Sequence, residues 1–116
     1  MRLRRRAAAL RALGWALHAA VVARRRVAAG ELPPFDLPAP PPVPLSAGGG
    51  VRIALRPGRF TCLVRATVLQ AWYAGHGIHR DLIIGVTSPR DFTAHAWLDG
   101  DPHAGEGYAE LMRRSA

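Results

Sequence analysis

Cys62 is the single cysteine of this 116-residue chain, and Ala94-His95-Ala96-Trp97 follows it, with the imidazole 33 positions on. A thiol and an imidazole are the two groups that nucleophilic attack on a carbonyl needs, the first as nucleophile and the second as its base. One cysteine makes no internal disulfide and cannot supply the several thiolates of a structural zinc cage, which leaves core packing or reactivity. A free cysteine is most often a small buried hydrophobe, and a lone histidine is most often structural. The flank favours reactivity: Arg59-Phe60-Thr61-Cys62-Leu63-Val64-Arg65-Ala66 runs from a loop into a helix, with Cys62 in the first turn.

The elements that must position these groups follow from local pattern. Thr61 is a good N-cap, and Cys62 to Ala74 then predicts a helix burying Leu63, Ala66, Val68, Leu69 and Trp72, closed by Gly75 and Gly77. At such a helix start the unpaired N–H groups and the positive dipole end favour a thiolate and can also hold an oxyanion. Asp81 to Thr87 is apolar enough for a central strand, Ser88-Pro89-Arg90-Asp91 is a turn, and Phe92 to Asp99 is a second strand, so an antiparallel hairpin is expected. Alternation sets Phe92, Ala94, Ala96 and Leu98 on one face and Thr93, His95, Trp97 and Asp99 on the other. Trp97 then reads as a wall of the site or as core filling. The body is α+β, with the helix that carries the nucleophile packed on an antiparallel sheet. Val51 to Leu55, ahead of the Pro57-Gly58 break, reads as a helical turn or a short strand.

Charge divides the chain differently. All sixteen basic residues are arginine; eight lie in the first 26 residues with no acid among them, and the remainder is balanced. The net +8 therefore belongs to the N-terminal segment. With the core neutral, nucleic-acid binding is not expected, and an acidic partner or a membrane surface explains the basic segment as well. Leu3, Ala7, Leu10, Leu13, Leu17 and Val21 recur at helical spacing, predicting a helix from Leu3 to Ala28 that either packs on its own domain or serves as an arm. Arg11 and His18 interrupt the apolar run that a signal peptide or membrane span would need, so a cytoplasmic chain is expected. Seven prolines between Pro33 and Pro44, followed by Ser46-Ala47-Gly48-Gly49-Gly50, predict a semi-extended spacer with a glycine hinge. The expected organisation is a basic helical arm at 1–30, a linker at 31–50 and a core at 51–116. A core of that size is small, which favours activity in the company of a partner.

Three runs, in order and spacing, resemble a known family: Phe60-Thr61-Cys62-Leu63-Val64-Arg65-Ala66, then Gly77-Ile78-His79-Arg80-Asp81-Leu82-Ile83-Ile84-Gly85-Val86, then Phe92-Thr93-Ala94-His95-Ala96-Trp97-Leu98. They look like the leader peptidases of lasso-peptide biosynthesis, a small branch of the transglutaminase-like, papain-related fold. The resemblance implies Cys62 as nucleophile, His95 as general base and cleavage of a leader from a ribosomally made precursor peptide. It also implies two protein partners, a separate leader-recognition protein and an ATP-dependent cyclase, and no cofactor. The family carries an aspartate about a dozen residues past the histidine, where this chain has Ala104-Gly105-Glu106-Gly107-Tyr108. Glu106 is the nearest carboxylate there, with Glu110 or none as alternatives. Asp99 lies about 13 Å along the same strand from His95, too far to orient it, and Asp101 reads as a turn residue.

His76 and His79, together with Cys62, His95 and His103, invite a metal reading, but no Asp, Glu or Cys joins the His76–His79 pair at ligand spacing and no metal is expected. Two other classes stay open beside the peptidase: another acyl-transfer enzyme of the same fold, a transglutaminase or amidase, and a non-catalytic partner-binding protein.

Overall fold

The computed structural model describes residues 2–87, 93–101 and 104–115. The expected Ser88–Asp91 turn, Phe92 and His103 lie outside these. The first helix, α1, spans Arg2–Ala28 and is followed at Gly30 by a positive φ of 82° that a residue without Cβ adopts freely. Its buried face coincides only in part with the expected one, since Leu13 and Leu17 are partly buried against the core. Ala12, Trp15, Ala16, Ala19, Ala20 and Ala23 are buried, whereas Leu3 and Leu10 are 80% and 66% exposed. Small alanines let a second backbone approach closely, and that backbone is α2, Gly48–Ala54.

The glycine run expected as a hinge is therefore the start of a helix, entered through a 3-10 turn at Leu45–Ala47. A Cβ on Gly50 would lie 2.0 Å from the Ala9 carbonyl oxygen, so glycine here is a condition of the α1–α2 contact. The two alternatives for Val51–Leu55 resolve as helix for the same reason, with Val51 and Ala54 fully buried beneath α1.

The proline segment is strapped along the helices. Trp15 Nε1 donates to the Pro38 carbonyl at 2.9 Å, Gly75 gives room to the Pro40 ring, and Phe35, Leu37 and Val43 join the core. His76, at the end of α3 (Cys62–Ala74), has its ring nitrogens 2.7 and 2.9 Å from the Trp72 and Val43 carbonyls and its ring centroid 4.3 Å from that of Trp72. This histidine fastens the strap to the helix. The basic helix and the segment after it thus share one core with α3, in which Trp15 and Trp72 meet at 5.9 Å. No described helix is long and apolar enough to cross a membrane.

α3 begins at the expected residue. Thr61 is extended, and its hydroxyl accepts from the Val64 N–H at 3.4 Å, satisfying one of the donors a helix start leaves open. Thr61→Ala is expected to lower stability by about 1 kcal/mol, seen as a lower urea midpoint at unchanged slope. The other face of α3 lies on a three-stranded antiparallel sheet, ordered β2-β1-β3, of β1 (Leu82–Val86), β2 (Ala94–Leu98) and β3 (Ala109–Arg114). The expected hairpin is present, with Leu82 opposite Leu98 and Gly85 opposite His95. β3, which the sequence reading did not contain, pairs with β1 and shifts register between Ile84 and Gly85. Ala66, Leu82, Ala96 and Leu98 form the buried layer between helix and sheet. Buried Gln70 closes the joint, its amide donating at 3.0 Å to the carbonyls of both Arg80 and Arg114.

Candidate active site

Cys62 opens α3 at a capped helix start and is half-buried at the margin of the helix–sheet layer. Beside it lies a cavity of about 600 Å³. α3 presents Cys62, Arg65, Ala66, Leu69 and Tyr73 to this cavity, a stripe at the i, i+3, i+4, i+7 and i+11 positions that one helix face provides. The opposite wall is β2, from which His95, Ala96, Trp97 and Leu98 all contribute. Four consecutive strand residues point to both sides of a sheet, so the cavity follows the free edge of β2, the outer strand. Cys62 and His95, the pair expected from sequence, border one space.

They reach it from different sides. Ala96 and Leu98 are buried toward α3, whereas His95 and Trp97 belong to the face turned away from it, as alternation requires. On that face His95 stacks on Trp97 at 5.6 Å and 21°, and its ring lies 5.0 Å from that of Tyr108. Trp97 covers Gly85 and Gly105, where a Cβ would come within 2.6 and 2.7 Å of its ring. These glycines let the indole lie flat across the strands and hold the aromatic layer that orients His95. Trp97 is thus a wall of the cavity, one of the two readings its sequence position left open.

The carboxylates separate clearly. Glu106 sits exposed in the turn over Ala104–Gly107, between Ala104, which borders the cavity, and Tyr108, which packs on His95; Glu106 itself does not line the cavity. Glu110 is occupied elsewhere. Its carboxylate accepts from Arg113 at 2.8 and 3.2 Å, and those hydrogen bonds hold its pKa below the ordinary carboxylate value. Arg113 also donates to Asp99 at 3.1 Å and Asp81 at 3.3 Å, and its own pKa is raised by the hydrogen bonds to Glu110, Asp99 and Asp81. Asp99 is thus tied to Arg113. Asp101, expected only as a turn residue, borders the cavity. Sequence reasoning also missed Arg52, Arg65 and Arg80, all of which line it. The helical spacing of Cys62, Arg65 and Leu69 could have marked Arg65, whereas nothing local connects Arg52 or Arg80 to the thiol.

The residue types fit acyl transfer, with a cysteine at a helix start whose N–H groups could receive an oxyanion and a histidine on the outer strand bordering the same space. Among known proteins, the sequence profile of the Transglutaminase-like superfamily matches residues 1–114. No curated protein and no solved structure matches the chain.

Proposed function

The chain belongs to the transglutaminase-like superfamily, and from that premise we propose that it is a cysteine peptidase that removes the leader from a ribosomally made lasso-peptide precursor. The superfamily includes cysteine peptidases and transglutaminases. The observation that carries the reading is that Cys62, on the capped start of α3, and His95, on edge strand β2, border one cavity.

In this reading His95 takes the Cys62 proton, and the thiolate attacks the carbonyl at the leader junction. The helix-start N–H groups receive the oxyanion. Collapse of the tetrahedral species expels the amine of the core peptide, which takes the proton from His95, and leaves a thioester on Cys62. Water, deprotonated by His95, then attacks the thioester and releases the leader as an acid. Glu106 is assigned to orient the imidazole, since its turn lies between a cavity residue and the ring that packs on His95. A leader-recognition protein supplies the precursor, and the ATP-dependent cyclase takes the product. The arginines of α1 are assigned to hold an acidic face of one of these proteins.

The test is mass spectrometry of the precursor incubated with this protein and the recognition protein. One leader cut is expected, slowed by Glu106→Gln at least about tenfold if the carboxylate orients the base. Intact precursor in the presence of every partner would sink the peptidase reading. The superfamily match equally favours a second acyl-transfer reading, in which an amine replaces water as acceptor. A product carrying an added amine probe, with no free acid, would select it.

A further inference from the structure

The cavity beside Cys62 carries a charge pattern that acyl transfer by itself does not require. Among the described residues, Arg65 on α3, Arg52 on α2 and Arg80 ahead of β1 line it. Among the described lining residues Asp101 is the one acid, so positive charge predominates there. Among the described residues none of these three arginines forms an ion pair, while Arg26 and Arg113 do.

Two of them are further constrained. Arg65 Nε is shielded from water with no hydrogen-bond partner, and among the described residues no other group of the protein engages this guanidinium. The Arg80 guanidinium carbon lies 4.5 Å over the Tyr73 ring, a cation–π contact that does not use its N–H groups for an ion pair. Planar, unpaired and partly shielded guanidinium groups match a carboxylate, which they bind with paired hydrogen bonds. Leu69 and Leu98, on facing walls, lower the local dielectric and strengthen that attraction.

We propose that this cavity binds a carboxylate of the acyl substrate next to the scissile bond, an acidic side chain or a chain terminus, and so selects which bonds Cys62 meets. The proposal rests on Cys62 as the nucleophile. Its test uses that thiol as the reporter, which the single cysteine makes simple: intact mass counts the adduct. Iodoacetate and iodoacetamide differ in charge and little in size. The rate ratio of iodoacetate to iodoacetamide at Cys62 is expected to exceed that of a free cysteine peptide by about tenfold, as an electrostatically focused cleft produces, and to collapse in 1 M salt.

Arg65→Gln and Arg52→Gln should each lower the ratio, and Arg65→Lys should restore part of it. Arg52 is exposed, so Arg52→Gln reads the effect even if the Arg65 variants fold poorly. Blocked Ala-Glu-Ala should slow alkylation by iodoacetamide where blocked Ala-Gln-Ala does not, and Ala-Ala-Ala with a free or an amidated terminus tells a side-chain carboxylate from a terminal one. A ratio equal to that of the free peptide, or no protection by any carboxylate, overturns the site and leaves the nucleophile standing. No alkylation by either reagent in the folded protein removes the nucleophile, and this proposal with it.

Discussion

Replacement of Cys62 by alanine is expected to reduce peptide cleavage by a factor of about 10⁴ or more while the protein stays folded. The side chain is half-buried at the margin of the helix–sheet layer, so deleting one sulfur leaves little unfilled space. Its replacement also improves helix propensity at that position. The thermal midpoint should therefore shift by no more than a few degrees, and a mass-spectrometric assay of product would carry the whole effect. His95→Gln should fall nearly as far, because the thiol then has no base. The double variant should be no slower than Cys62→Ala alone, since groups acting as one unit do not lose activity additively. Glutamine is preferable to alanine at position 95, where the ring is packed against Trp97 and Tyr108 and its loss would disturb the cavity wall. Full cleavage by Cys62→Ala would move the protein to the partner-binding class.

The nucleophile and its helix were legible because every signal for them is local. Thr61 caps, Cys62 starts the helix and Gly75 follows its last turn, all within fifteen residues of sequence. The β1–β2 pairing was legible for a related reason, since an apolar run and an alternating run a few residues apart have one easy antiparallel pairing. The face of His95 followed from its alternation. That this face is turned away from α3 did not follow, because which side of a hairpin a helix covers depends on the rest of the chain. Here Ala96 and Leu98 win that side, being the apolar set, and His95 borders the cavity from the outer strand with its ring against Trp97 and Tyr108.

What escaped was what depends on distant contacts. β3 is Ala-Glu-Leu-Met-Arg-Arg, residues that favour helix, and it is a strand because β1 offers an open edge. The carboxylates near the site sort by the position of Arg113, which gathers Asp81, Asp99 and Glu110 from three parts of the chain. The arginines of the cavity come from α2, α3 and the loop before β1, a convergence that appears only when the elements are assembled. On α1 the leucine stripe and the alanine stripe are both helical in period. The alanines are the buried set, and next to them the α2 backbone at Gly50 comes against the α1 backbone at Ala9 and Leu13.

That closeness yields the second large effect, on stability. Gly50→Ala is expected to destabilise the protein by about 3 kcal/mol or more, against a total on the order of 5–15 kcal/mol for a domain. The added carbon would stand 2.0 Å from the Ala9 carbonyl oxygen, 2.9 Å from its carbon and 3.1 Å from the Leu13 nitrogen. All three are backbone atoms of a regular helix, which cannot turn aside as a side chain could, so α1 and α2 must separate. The neighbouring glycine supplies the control: a Cβ at Gly49 meets nothing within 4 Å, so Gly49→Ala should stabilise by about 0.5 kcal/mol through reduced freedom of the unfolded chain. A flexible glycine hinge would make the two substitutions alike and mild. Opposite shifts in urea midpoint, with Gly50→Ala also lowering activity because α2 carries Arg52 to the cavity, would establish that this run is a packing seam. Equal midpoints would mean that the basic helix does not lie against α2.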